Sequence, residues 1–173
     1  MNTHSMQNFS TQVESALYLL INMHLHVSQT YISLGFYFVG NRGAQEDVDH
    51  FFHELAEKKY DSAHRLLLRS QSGMRSLCQA GQRVPQAEWC NSQQAMETAL
   101  VLEKNLNQTL LELHALGWAN TDCHLCDFLV NHFLEEEVKI IQKMEYHLTN
   151  FRCLTSPEAV LSESLSKLTL KSK

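Results

Sequence analysis

The sequence predicts an all-α fold: four long helices in a bundle, a long crossover and a short fifth helix. Three observations carry this. Apolar residues recur every three or four positions over four long stretches, the spacing of one face of a helix. Only 6 Gly and 2 Pro punctuate 173 residues, and β-branched runs are short. The one long stretch without periodicity, from Gly73 to Asn91, has the length of a connection that runs back along a bundle.

The first helix is expected from Thr11, where Thr11 and Glu14 have the spacing of a capping box, and residues 1–10 are expected as a disordered tail. Its stripe is Val13, Leu17, Leu20, His24, Val27, Tyr31, Leu34 and Phe38. Gly40, Asn41 and Gly43, within Val39 to Ala44, supply turn chemistry and end it, and so short a loop implies an antiparallel neighbour. The second stripe is Val48, Phe52, Leu55, Lys59, Ser62 and Leu66, with Gly73 closing the helix or opening the next loop. Helices two and three then lie parallel across the Gly73–Asn91 crossover.

Asn91 and Ser92 are expected caps for a third helix that carries Met96, Ala99, Glu103, Leu106, Leu110 and Leu113 inward and ends near Gly117. The fourth follows Asn120, Thr121 and Asp122. Its stripe is Cys126, Val130, Phe133, Glu137, Ile141, Met144, Leu148 and Phe151. Ser156-Pro157-Glu158 reads as N-cap, N1 and first-turn acid of the fifth helix, over about 157–169. The bundle occupies about 11–151, and no repeat or linker divides this single domain.

An apolar share of 44% with 19% charged residues fits a soluble globular class. The formal charge of −5 disfavours nucleic acid and anionic membranes as partners. Met1 to Ser10 lacks signal-peptide features, and no apolar stretch has the length of a membrane span. Five cysteines, an odd number, fit free thiols in a reducing cytosol. The expected localisation is therefore cytoplasmic.

Each of the four stripes is polar at its centre: His24, Lys59, Glu103 and Glu137, with Tyr31 and Ser62 one or two turns away. A carboxylate facing a core needs a metal, a cation, a donor or a proton. One reading is a metal site. The other is an ion-pair cluster in which Lys59 neutralises the two carboxylates. Di-metal four-helix bundles place Glu-x-x-His on two helices, and Lys59-x-x-Ser62 stands where one such motif belongs. A charged lysine cannot ligate a metal, which favours the ion-pair reading.

These stripes occur together with Ser33-Leu34-Gly35-Phe36-Tyr37-Phe38, His50-Phe51-Phe52, Glu54-Leu55-Ala56-Glu57, Leu102 to Gly117, His124 to Leu129, His132 to Met144 and His147-Leu148-Thr149-Asn150. From about Gln7 to Lys171 the chain resembles a ferritin subunit of the light type. The resemblance implies a five-helix subunit in a 24-subunit hollow shell, shared with heavy-type subunits, that stores iron as a ferric mineral and has no prosthetic group. It places the heavy type's iron-oxidising site at His24, Lys59, Ser62, Glu103 and Glu137, where the catalytic pattern wants Glu, Glu and His at the first three. It therefore implies a non-catalytic core.

The resemblance further implies an iron-nucleating face on the second helix, here Glu54, Glu57, Asp61 and His64. Lys58 and His64 replace acids and weaken it. It implies a pore at three-fold axes with Asp127, Cys126 and His114, in which Val130 replaces a Glu. Cys123 replaces a proline and creates Cys123-His124-Leu125-Cys126, for which unpaired thiols, zinc and redox chemistry are the readings. The fifth helix lacks one residue between Leu165 and Leu168. A ferroxidase-competent subunit and a diverged structural subunit are the alternatives to iron storage.

Overall fold

The computed structural model describes residues 3–40, 47–70, 88–155 and 165. Its helices are α1 (Thr3–Gly40), α2 (Val48–Arg69), α3 (Ser92–Ala119), α4 (Cys123–Leu129) and α5 (Glu135–Thr155). A π-helical turn, Val130–Leu134, joins α4 to α5. The expected fifth helix, apart from Leu165, and nearly all of the crossover lie outside the described residues.

Contacts between named residues fix the topology. The end of α1 meets the start of α2 where Phe38 stacks on Phe52, and its start meets the end of α2 where the Ser70 hydroxyl donates to Glu14 at 2.8 Å. Those two helices are antiparallel. Tyr37 near the end of α1 meets Trp89 just before α3, so α1 and α3 are antiparallel as well. Helices α2 and α3 are then parallel, as expected across a crossover. Arg152 with Glu97 and Lys104 with Glu145 set α5 antiparallel to α3.

Two apolar clusters fill the bundle, one containing Tyr31, Leu34, Phe38, Phe52, Met96 and Phe151, the other Leu17, Leu20, Leu66, Leu110, Leu125 and Leu129. In all four rods the residue between the two clusters is polar: His24, Lys59, Glu103 and Glu137 are each buried. The apolar halves supply the folding drive, at about 25 cal/mol for each Å² removed from water. The polar layer has to be satisfied internally.

Four local expectations differ from the structure. Helix α1 begins at Thr3, so residues 3–10 are helical and Thr11 and Glu14 lie inside the helix rather than at its cap. Helix α2 ends at Arg69, ahead of Gly73, and its inward position is Ala63, with Ser62 half-buried. Helix α3 runs past Gly117 to Ala119. Gly117 is buried there, and a Cβ on it would come within 3.2 Å of Cys126 and Leu125. In the fourth rod the wide turn adds a residue, and Leu129 and Ile140 are buried while Val130 and Ile141 are half-buried.

The caps of α3 and α4 are local. Asn91 accepts from the Gln94 N–H at 2.8 Å and Asp122 from the Leu125 N–H at 3.1 Å. Between α3 and α4, Thr121 has φ 53°, and the Asp122 and Thr121 N–H groups donate to the carbonyls of Gly117 and Trp118. This is a Schellman turn with threonine in the left-handed position usually given to glycine.

Candidate functional site

Helix α1 supplies His24, α2 Lys59, α3 Glu103 and α5 Glu137, all meeting at mid-bundle. The Lys59 ammonium lies 3.0 Å from Glu103 Oε2 and 2.5 Å from Glu137 Oε1. Tyr31 donates its hydroxyl to Glu103 Oε1 at 2.8 Å. His24 Nδ1 lies 2.8 Å from the Leu20 carbonyl, to which it donates as the protonated ring nitrogen. The His24 ring packs edge-on against Phe133 of the π turn, 5.7 Å between centroids. His24 Nε2 and Glu137 Oε2 are buried without a hydrogen-bond partner.

Burial opposes the charge on Lys59, but the fields and hydrogen bonds of Glu103 and Glu137 outweigh it and hold its pKa above the ordinary value. Burial also opposes the charge on Glu103, and there Lys59 dominates and holds the carboxyl below its usual range. Glu137 goes the other way: burial, aided by the neighbouring Glu103, pushes it well above. Burial and then Lys59 lower His24 from 6.5 to about 4. Lys59 thus shares its charge between two buried carboxyls, Glu103 drawn toward its ionised form and Glu137 toward its protonated form, beside a His24 ring that is neutral at pH 7.

This arrangement leaves no room for a cation between the carboxylates, since Lys59 is already there. Among the described residues no three His, Cys, Asp or Glu side chains are grouped to hold a metal ion. Ser62 is half-buried on α2, beside the inward-facing Ala63.

One turn away on α2, Glu54, Glu57, Asp61 and His64 are all exposed. They share a face distinct from the Leu55–Lys59 stripe, as the helical spacing requires. Lys58 lies 3.4 Å from Glu136 of α5, with both side chains about half exposed. The sequence reading missed Glu136. Its signal is the run Glu135-Glu136-Glu137, in which the inward turn of Glu137 sends its neighbours outward.

The third set sits at the α3–α4 corner. Asp127 is exposed, His114 half-buried and Cys126 buried, and the Cys126 thiol donates to the His114 carbonyl at 3.6 Å. The structure brings Cys126 to the backbone of His114.

A family model described as a ferritin-like domain matches residues 14–154. The chain is 56% identical over 173 residues to the ferritin light chain of Oryctolagus cuniculus, across 99% of both chains. It is 57% identical to that of Felis catus and 54% identical to that of Bos taurus, each over 173 residues and 99% of both chains.

Proposed function

Because this chain belongs to the ferritin family, we propose that it is a non-catalytic light-type subunit that contributes to storing iron as a ferric mineral inside a hollow multisubunit shell. The observation that carries this reading is the Lys59 ammonium held at 3.0 and 2.5 Å from Glu103 and Glu137. Iron is the cargo, and a centre that oxidises it would need those two carboxylates free. Lys59, Ser62 and His24 stand where the catalytic pattern has Glu, His and Glu, so the layer works as a structural ion pair.

Iron then meets the protein on the exposed face of α2. Glu54, Glu57 and Asp61 offer hydrated carboxylate oxygens, hard ligands suited to iron ions, with His64 at the end of the row. These groups act as a charged surface on which hydrolysed ferric ions gather, rather than as a closed coordination site. Asp127, His114 and Cys126 belong to the channel between subunits, where Val130 leaves a weaker field for drawing cations inward. The shell has 24 subunits, mixed with heavy-type chains that supply the oxidation, in the cytoplasm. No described helix is long and apolar enough to cross a membrane.

The test is mineral growth in shells mixed with a heavy-type subunit, comparing this chain with a variant carrying Glu54→Gln, Glu57→Gln and Asp61→Asn. The expected result is slower growth and fewer filled shells for the variant. Equal filling would overturn the role of this face.

A further inference from the structure

The corner between α3 and α4 forms an open pocket of about 330 Å³ lined by Trp118, Thr121, Asp122, Cys123, Cys126 and Asp127. Its two thiols stand three residues apart on the first turn of a helix and so project to the same side. Cys123 is exposed, whereas Cys126 is 7% exposed with its Sγ seated over Gly117 and donating to the His114 carbonyl. One thiol faces solvent and the second waits behind it. Neither takes part in a disulfide in this structure.

We propose that Cys123 and Cys126 form a redox-active dithiol that closes to an intramolecular disulfide by exchange with a low-molecular-weight disulfide such as oxidised glutathione. Cys123 loses its proton to water, and its thiolate attacks one sulfur of the small disulfide. This forms a mixed disulfide and releases one small thiol. Cys126, its proton also passed to water, then attacks the Cys123 sulfur, closes the internal S–S bond and expels the second small thiol. Two electrons pass from the protein to the small disulfide, which leaves as two thiols.

The local backbone permits the closure. Side chains three apart on a helix have Cβ atoms about 5–6 Å apart, whereas a disulfide needs about 3.5–4.5 Å, so the first turn must tighten by about 1–2 Å. Cys123 is the first helical residue, and its N–H bonds to the Thr121 carbonyl at 3.2 Å in the turn rather than to the helix. Its N–H therefore lies outside the helical ladder, in which only its carbonyl takes part. Burial, followed by the neighbouring Asp122, Cys123 and Asp127, holds the Cys126 thiol above its ordinary pKa, which leaves Cys123 as the attacking group. Closure would release the Cys126–His114 hydrogen bond and tie down the corner that carries Asp127. The inference shares Cys126 and Asp127 with the channel of the iron-storage reading, but its test reads the state of the thiols and not mineral growth.

The test exposes the full-length protein and its Cys123→Ser and Cys126→Ser variants to oxidised glutathione, alkylates the remaining thiols and maps the peptides by mass. The parent chain is expected to lose two hydrogens from the peptide that holds both cysteines, with no adduct retained. Cys126→Ser should instead accumulate glutathione on Cys123, and Cys123→Ser should leave Cys126 unmodified. Cys123 is exposed, so its serine variant keeps the fold intact for this comparison. Two free thiols in the parent chain, or a glutathione adduct that persists on Cys123 as fully as in Cys126→Ser, would overturn the proposal.

Discussion

The bundle holds two sets of carboxylates, one facing Lys59 of α2 and one on the exposed face of α2 itself, and they do opposite things. Glu103 and Glu137 are buried in the mid-bundle layer, while Glu54, Glu57 and Asp61 stand exposed on the outer face of α2. The residue types are the same. In the dry layer both carboxyls are held by Lys59, whose field draws Glu103 below the usual range while burial pushes Glu137 above it. On the wet face the carboxylates stay hydrated and can exchange water for an ion. Environment, more than side-chain identity, decides which carboxylates are free to exchange water.

The comparison breaks most readily at Lys59. Lys59→Ala would leave buried carboxylates without their cation and is expected to lower stability by about 3–5 kcal/mol, read as the shift in thermal or denaturant unfolding of the purified protein. An unchanged midpoint would mean that the layer is wetter than its burial implies.

His24 gives the next largest effect and a sign that can be checked. Its folded pKa is lowered from 6.5 to about 4, so the unfolded chain takes up a proton that the folded chain refuses. The stability from this group is present above about 6.5 and is lost as the pH falls toward about 4, by about 3 kcal/mol in total. His24→Gln should flatten the stability profile over that window relative to the parent. Glu103 loses its contribution at lower pH, because its carboxyl is held below the ordinary range. Parallel profiles for parent and variant between those limits would contradict a neutral, buried His24.

Tyr31→Phe sharpens the comparison on the dry side, because it removes the hydroxyl that donates to Glu103 at 2.8 Å. A hydrogen bond to a buried carboxylate predicts a loss of about 2 kcal/mol, measured by denaturant unfolding. The wet face should give the smallest change in stability. Replacing Glu54, Glu57 and Asp61 by their amides is expected to move stability by no more than about 0.5 kcal/mol, despite altering three charges. A large loss there would show that the face is tied into the fold.

Much of this was legible in the sequence. The 3–4 spacing on α1 and α3 put His24 and Glu103 inward, and both are buried. Asn91 was readable as a cap because its side chain acts on the Gln94 N–H three residues later. The fourth rod was less legible: periodicity assumes a constant 3.6 residues per turn, and the π turn at Val130–Leu134 moves the inward positions to Leu129 and Ile140. The extension of α1 to Thr3 was hidden by Thr11 and Glu14, which imitate a cap in sequence while Glu14 accepts from Ser70. The opposite shifts of Glu103 and Glu137 could not be read at all, because they depend on how burial and the field of Lys59 balance at each carboxyl.

The most direct test is stopped-flow Fe(II) oxidation by the pure, assembled protein at low iron-to-subunit ratio. A dry layer occupied by Lys59 predicts no fast saturating phase beyond that of iron in buffer, and no change on Glu103→Ala. A fast phase that Glu103→Ala abolishes would show that iron reaches the core carboxylates and would contradict the separation between the two sites.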